Sequence, residues 1–244
     1  MEEKLDHSRI AGNNDMIALL TQEKLEPYFQ PGEKWDYSNT AFAMLATIIE
    51  KVSGKTFHDY MEAEIFKPLG MTHTRIYNTR RAGEKIDNYA YGFVWSDSLQ
   101  RHVLPDSLPE MNFLYYLDGI QGDGIVNSTI EDLLKWERAN ATKSVLPASA
   151  IDKLTARHSL ADTATQTYYG YGIGVVANKY GNYLGHSGGW PGYTTYLFRN
   201  IDSDLTIVVL SNNNANSPAI SKALEVIYFG DTVVMPYVHK QAAI

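Results

Sequence analysis

The 244-residue sequence contains no cysteine. This absence excludes disulfides, thiolate nucleophiles, iron–sulfur clusters and cysteine-ligated zinc. Basic residues are also few: 21 lysines and arginines stand against 28 aspartates and glutamates, which gives a formal net charge of −7. Such a chain lacks the positive field that draws proteins to phosphate backbones or anionic membranes. The composition therefore argues against nucleic acid as a partner.

Long apolar runs are missing as well. No apolar stretch approaches the ~20 residues of a membrane-spanning helix. The first residues are polar and acidic, without the basic and apolar regions of a signal peptide, and localisation stays open. The seven histidines show neither H-x-x-x-H nor H-E-x-x-H spacing, so no metal or other cofactor is expected. At 44% hydrophobic and 20% charged residues, the chain is typical of a globular domain.

Hydrophobic periodicity predicts several helices in the first part of the chain and strands in the second. It predicts helices over about 14–25, 39–53 and 56–66, a helix to Ala141 capped by Ser128-Thr129-Ile130-Glu131, and one that ends near Arg157. Strands are predicted over 169–177, 183–186, 193–199 and 205–211, before a final helix over 218–228. We therefore expect a single α+β domain over 1–244. It would comprise a mainly helical lobe (14–157) and an antiparallel sheet with a closing helix (165–230).

A glycine-rich pentapeptide is the first candidate for chemistry. Gly185-His186-Ser187-Gly188-Gly189 matches G-x-S-x-G, the nucleophile elbow of α/β-hydrolases. That elbow needs a strand, a sharp turn and a helix, whereas Pro191-Gly192 and a β-rich run follow here. The alternative is a glycine-rich hairpin turn that contains a histidine. An esterase that uses Ser187 therefore stays open beside a purely structural turn.

A second motif carries a family resemblance. Tyr37-Ser38-Asn39 follows Pro31-Gly32-Glu33-Lys34-Trp35 and precedes the strongest predicted helix. With the stretches 48–55 and 65–71, it resembles the serine β-lactamase and penicillin-binding-protein family. That family includes class C β-lactamases, D-Ala-D-Ala carboxypeptidases, D-aminopeptidases and esterases. Residues 124–133 resemble the next helix entry, and the resemblance covers about residues 10–229. It implies a β-lactamase/transpeptidase-like fold, with an antiparallel sheet flanked by helices.

The resemblance also implies roles for individual residues. Tyr37 matches a tyrosine that relays protons, and Asn39 matches an asparagine that bonds the substrate amide and a catalytic lysine. The 186–189 segment falls at the family's third motif, on a strand beside the cleft. There the Gly189 N–H matches an oxyanion donor. The resemblance implies that the substrate or its leaving-group side contacts His186, Ser187, Gly188, Gly189, Trp190 and Tyr193. Asn212–Asn214 are expected to line the cleft as well. Asp123, between two glycines, is predicted to have a structural role in a turn.

His186 stands where many relatives have lysine. A neutral imidazole holds a carboxylate more weakly than an ammonium group does. The histidine therefore favours esterase-like or aminopeptidase-like substrates over penicillins and D-Ala-D-Ala peptides.

The family's nucleophile is not found in the sequence. The family acylates the serine of an S-x-x-K motif, but no serine here has lysine three residues later. We therefore expect the carboxy-terminal portion of a serine hydrolase, without the amino-terminal strands and nucleophile helix and inactive by itself. Its substrate would be a small molecule or peptide with an amide or ester bond. The alternative is a non-catalytic binding module.

Loss of the amino-terminal segment would expose a strand edge and an apolar surface. These would bind the missing segment or a second copy, exchange strands, or be covered by refolding of residues 1–36. Full-length relatives are often periplasmic or extracytoplasmic.

Overall fold

The computed structural model describes residues 4–78, 80 and 85–233. The chain divides into two units, Met1–Tyr91 with Val103–Ala148, and Gly92–His102 with Ser149–Ile244. The lobe limits drawn from the sequence, 14–157 and 165–230, stay a prediction. Among the described residues, no helix combines the length and the apolar character that crossing a membrane requires.

The first unit is mainly helical. Its helices are α1 (Asn13–Glu23), α2 (Asn39–Ser53), α3 (Phe57–Met61), α4 (Phe113–Tyr116) and α5 (Ile130–Ala141), with a π-helix at Glu62–Phe66 and short 3₁₀ turns at Pro105–Ser107 and Pro109–Met111. Two short strands, β1 (Arg75–Ile76) and β4 (Val126–Asn127), pair antiparallel. One apolar cluster lies between α2, α3 and β1, and another joins α1 to α2.

Helix α2 has the predicted bounds because both of its ends carry strong signals. The Ser38 hydroxyl accepts a hydrogen bond of 3.1 Å from the Ala41 N–H, which satisfies one of the unpaired donors of the first turn. Gly54 ends the helix at φ 70°, a left-handed conformation that glycine adopts without a steric penalty. The helix predicted over 39–53 is thus confirmed.

The helix predicted over 56–66 changes type midway. Phe57 and Phe66 both lie in the apolar cluster, yet they are nine positions apart. In an uninterrupted α-helix this spacing would place them about 180° apart around the axis. The π-helix at Glu62–Phe66 has more residues per turn, so Phe66 lies at a smaller angle from Phe57 around the axis than it would in an uninterrupted α-helix. The single α-helix was therefore wrong after Met61.

The entry to α5 differs from prediction by one residue. The cap is Thr129, whose hydroxyl accepts from the Asp132 N–H at 3.3 Å, and not Ser128. The Ser128 hydroxyl instead pairs with that of Thr74 at 2.7 Å. Both S-x-x-E and T-x-x-D fit a helix start in sequence. The tertiary contact to Thr74 decides between them.

Asp132 anchors this helix entry to the preceding loop. Its fully buried carboxylate accepts from the His73 N–H at 2.7 Å, the Thr74 hydroxyl at 3.0 Å and the Lys135 ammonium at 2.7 Å. Burial acts to raise the pKa of Asp132, but the hydrogen bonds from these partners and the nearby Lys135 charge outweigh it. The pKa therefore lies below its ordinary value.

Asp132→Asn is expected to lower the free energy of unfolding by about 2–3 kcal/mol at pH 7, because charge-assisted bonds are lost. The ionised Asp132 carboxylate contributes fully to folding stability above the pKa of about 3.9 that an aspartate has in the unfolded chain. This contribution is lost as the pH falls through the lower pKa of the folded state. The variant should therefore lose less stability between about pH 4 and pH 2 than the parent does. Urea unfolding across this range measures both effects. Glu131→Gln, at an exposed acid in the same turn, is the matched control, and equal stability of the two variants would contradict the assignment.

The second unit is built on one antiparallel sheet of six strands in the order β10-β9-β8-β7-β6-β5. These are β5 (Ser159–Asp162), β6 (Thr167–Tyr169), β7 (Gly174–Asn178), β8 (Gly181–Trp190), β9 (Tyr193–Asn200) and β10 (Leu205–Ser211). A separate hairpin joins β2 (Val94–Ser96) to β3 (Arg101–Val103), and two helices are α6 (Ala148–Leu154) and α7 (Ser217–Tyr228). The α+β class with an antiparallel sheet is confirmed.

The single strand predicted over 169–177 is wrong. It is a hairpin in which Tyr168 pairs with Val175 and Tyr169 with Gly174. Gly172 takes φ +85° in the connecting turn, and a Cβ at Gly170 would clash with the Leu154 carbonyl oxygen. Alternation of tyrosine and glycine resembles a strand pattern, while the glycines here form the turn. Strand β5 (Ser159–Asp162) was not predicted.

Helix α7 turns its polar side inward. Ser217, Ser221 and Glu225, one turn apart from each other, are at most 2% exposed. The exposed side carries the charged Lys222 and four large apolar residues, Ile220, Leu224, Ile227 and Tyr228. Helix α2 likewise exposes Leu45, Ile48 and Val52. Contiguous exposed apolar surface is typical of interaction sites. The self-association predicted from the sequence stays a prediction.

Candidate active site

Tyr37 and Asn39 lie at the start of α2. Asn39 is the first residue of the helix and is exposed, and Tyr37 is 43% exposed just before the Ser38 cap. The Tyr37 ring contacts that of Phe42, with centroids 5.9 Å apart. Both predicted side chains are therefore held at a helix N-terminus, where backbone N–H groups point outward.

The loop between α4 and α5 is fixed against α2. The Asn13 amide donates to the carbonyls of Ala43 and Gln121, both at 2.9 Å, and accepts from the Gln121 N–H at 2.8 Å. Gly122 has φ +101°, and a Cβ there would lie 2.5 Å from that of Ala46. This close approach requires glycine. It also explains how Asp123 comes to act on Tyr37.

The electrostatics around Tyr37 oppose ionisation. Burial raises the pKa of the Tyr37 phenol, and the negative charge of Asp123 raises it further. A proton relay needs the opposite direction, a phenol pKa that moves toward neutrality. Asp123 was predicted to have only a structural role in a turn, but its charge also raises the pKa of Tyr37.

The glycine-rich pentapeptide lies wholly inside β8, in the second unit. Strand β8 runs from Gly181 to Trp190, and the turn to β9 is at Pro191-Gly192. The interpretation of 185–189 as a hairpin turn is therefore wrong. A nucleophile elbow needs a strand-to-helix turn at the serine. Because Ser187 is in the middle of a strand, the G-x-S-x-G esterase alternative is wrong too.

One edge of β8 has a strand beside it for only half its length. The ladder with β7 ends at the pair Gly174–Gly185, while the ladder with β9 continues to the pair Trp190–Tyr193. Within the described part of the chain, the backbone of Gly188 and Gly189 thus borders a strand on one side. Both glycines are exposed, and an added Cβ at Gly189 would meet nothing within 4 Å. Such an edge offers backbone N–H and C=O groups to a ligand.

His186 is held by two contacts. Its Nε2 lies 2.9 Å from the Tyr169 hydroxyl, and its Nδ1 lies 2.7 Å from the Ser187 carbonyl oxygen. Tyr169 is not part of any of the sequence motifs. No local signal could have found it, because the two residues are on strands separated by β7 and meet only through the sheet register.

Trp190 and Tyr193 flank the turn after β8. Trp190 is 43% exposed, and the Tyr193 hydroxyl accepts a hydrogen bond of 2.7 Å from the Gly92 N–H. A Cβ on Gly92 would lie 2.5 Å from the Tyr193 ring, and one on Gly192, at φ +85°, would lie 2.6 Å from the Gly92 carbonyl carbon. This turn is therefore packed against the segment that leads into β2.

The asparagines after β10 take part in local structure. The Asn212 carbonyl accepts from the Phe93 N–H at 3.0 Å, and the Asn213 side chain accepts from Ser211 at 2.8 Å and from the Ala215 N–H at 2.9 Å. These contacts order the loop that precedes α7. Substrate contact by Asn212–Asn214 stays a prediction.

Possible metal ligands cluster at one place in the described residues. Ligand atoms of His58, Asp59 and Glu62 lie within 4.8 Å of one another on an exposed part of the first unit. Glu62 also pairs with Lys67 at 3.1 Å. None of these residues is among those predicted for the site.

Comparison with known proteins places these features in a family. A sequence model of the Beta-lactamase family matches residues 3–228. Penicillin-binding protein 4* of Bacillus subtilis is 42% identical over 236 residues, which are 95% of this chain and 52% of that protein. A D-aminopeptidase of Cereibacter sphaeroides is 24% identical over 212 residues, 86% of this chain and 38% of that protein.

Among solved structures, the octameric penicillin-binding protein homologue from Pyrococcus abyssi superposes with a TM-score of 0.77 at 26% identity, over 91% of this chain and 48% of that one. The chain thus spans about half the length, or less, of these three relatives.

Proposed function

Because this chain belongs to the Beta-lactamase family, we propose that it carries one part of a serine acyl-transfer site that cleaves amide or ester bonds. The serine and lysine of an S-x-x-K motif would come from a polypeptide segment outside these 244 residues. The serine oxygen would attack the substrate carbonyl and expel the protonated leaving group. Water would then hydrolyse the acyl-enzyme.

The observation that carries this proposal is the one-sided edge of β8 at Gly188 and Gly189. A strand edge binds an extended substrate through main-chain hydrogen bonds. The absence of side chains at both glycines allows a carbonyl to approach the backbone closely. In this proposal the Gly189 N–H is one oxyanion donor, and the N–H of the nucleophile is the other.

The remaining roles follow from the charges that the reaction needs. The pKa of Tyr37 is raised in this chain by burial and by Asp123, so the phenol is protonated at neutral pH. A lysine ammonium beside it would lower that pKa and enable a proton relay. Asn39, exposed at the helix start, would donate to the substrate's amide carbonyl and contact the same lysine. The similarity to a D-aminopeptidase supports amide substrates.

A second candidate function is a non-catalytic module that binds peptides or cell-wall fragments. The same β8 edge would bind an extended ligand without chemistry. The observation that favours it is the lack of any S-x-x-K motif in the sequence. Oligomer formation fits either candidate, since the Pyrococcus abyssi homologue is described as octameric.

Intact-mass spectrometry tests the proposal directly. After incubation with a penicillin or an activated ester, the chain by itself should show no stoichiometric acyl adduct. Addition of a family segment that carries S-x-x-K should produce an adduct on that segment's serine. If no adduct forms although the ligand binds, the binding module is the correct function. A stoichiometric adduct on Ser187 of the lone chain would overturn both.

A further inference from the structure

We propose that Tyr169 is a positioning residue that holds the His186 ring in the orientation in which its Nδ1–H donates to the Ser187 carbonyl. His186 belongs to the site of the proposed function, and both of its contacts lie within the second unit. These are the 2.9 Å contact between the Tyr169 hydroxyl and Nε2, and the 2.7 Å contact between Nδ1 and the Ser187 carbonyl.

The position of the ring proton follows from the chemistry of the two partners. A carbonyl oxygen can only accept a hydrogen bond, so Nδ1 must carry the proton that it donates to Ser187. A neutral imidazole has one N–H, so Nε2 then bears a lone pair. The Tyr169 hydroxyl, which can donate, supplies the complementary proton to it. In the Nε2–H tautomer, the lone pair of Nδ1 would face the lone pairs of the Ser187 carbonyl oxygen.

The sheet brings the two side chains together. Tyr169 pairs with Gly174, and Gly174 pairs with Gly185, the residue before His186. The ladder between β7 and β8 ends at this rung. The rings of Tyr169 and His186 then meet edge to face, with centroids 5.9 Å apart and planes inclined at 64°. A phenylalanine at position 169 would keep this ring contact and lose only the hydroxyl.

The contacts assign His186 a role different from that of a lysine. Both ring nitrogens are engaged within the chain, so the neutral imidazole does not direct an N–H at a substrate carboxylate. Instead, the Nδ1–H bond holds the Ser187 carbonyl, one residue before the glycines of the β8 edge. On the proposed function, this favours substrates without a carboxylate beside the leaving group.

Nuclear magnetic resonance of the full chain, labelled with ¹⁵N-histidine and held at pH 8, reads the tautomer without any substrate. The His186 signals are assigned by their loss in His186→Gln. We expect a protonated Nδ1 and an unprotonated Nε2 in the parent. In Tyr169→Phe the ring loses the contact that orients it, which weakens the Nδ1–H bond to the Ser187 carbonyl. The ratio of the Nδ1–H to the Nε2–H tautomer should therefore fall by roughly twofold to tenfold, the effect of one hydrogen bond.

Tyr168→Phe is the matched control. Tyr168 is the neighbouring residue on β6, pairs with Val175 and has the Arg157 guanidinium 5.3 Å from its ring centroid. It should leave the His186 ratio unchanged. The signals of His158, whose ring stacks on Tyr171 at 4.3 Å, report whether each variant keeps its fold.

An Nε2–H tautomer in the parent would overturn the proposal. So would an unchanged ratio in a folded Tyr169→Phe variant. Neither result depends on acylation, so failure of the proposed function leaves this test interpretable.

Discussion

Replacing Tyr37 by phenylalanine is expected to lower the acylation rate by roughly 10²- to 10⁴-fold once a segment with S-x-x-K is supplied. The hydroxyl is the atom that would move the proton, whereas the ring contact with Phe42 can persist in the variant. Single-turnover acylation by an activated ester measures the rate. Tyr28→Phe, at a tyrosine that is 92% exposed, is the matched control. An unchanged rate in Tyr37→Phe would remove the residue from the relay.

The same variant tests the electrostatic argument. In the chain by itself, burial and the negative charge of Asp123 hold the pKa of the Tyr37 phenol above its ordinary value. Proximity of the S-x-x-K lysine should shift that pKa downward. Ultraviolet difference titration of parent minus Tyr37→Phe isolates this one phenol, with and without the added segment. A pKa that does not fall on addition would mean that the lysine does not reach Tyr37.

Gly192→Ala is expected to destabilise the chain by about 2–5 kcal/mol. At φ +85° an alanine is strained by about 1–2 kcal/mol, and overpacking adds about 1–3 kcal/mol. The overpacking is severe because the added Cβ would lie 2.6 Å from backbone atoms of Gly92, which are not the end of a flexible side chain.

Gly189→Ala is the control for that substitution. It lies on the same strand–turn segment, and its Cβ would meet nothing within 4 Å, so stability should change by less than about 0.5 kcal/mol. Urea unfolding followed by circular dichroism compares the two. Equal stability of Gly192→Ala and the parent would show that the Gly92–Gly192 contact is not required.

The sequence was informative where a local signal and the tertiary structure agree. Helix α2 has a hydroxyl cap at Ser38 and a glycine at its end, and its bounds follow from these residues alone. Strand β10 was also predicted with its observed limits, Leu205–Ser211, because it is a continuous β-branched and apolar run before an asparagine turn.

Local patterns failed where packing between distant residues decides the structure. The π-helix at Glu62–Phe66 depends on two phenylalanines reaching one cluster, and the cap at Thr129 depends on Thr74. The 169–177 segment became a hairpin because alternation alone does not distinguish a strand from a turn with glycines. In the candidate site, motifs indicated His186 and its neighbours, but the contact with Tyr169 arises from the register of three strands.

The inward polar face of α7 has a mechanical consequence. Near its start, the Ser217 hydroxyl donates to the Thr194 carbonyl at 2.9 Å, and two turns later Glu225 accepts from Asn178 at 3.0 and 3.2 Å. A shift by one residue would move the helix about 1.5 Å along its axis and rotate it by about 100°, breaking both sets of bonds. Apolar contacts alone would tolerate intermediate positions, because they are not directional. Helix α7 therefore cannot slide along the sheet, and a ligand pulling on β9 would move the two as one piece.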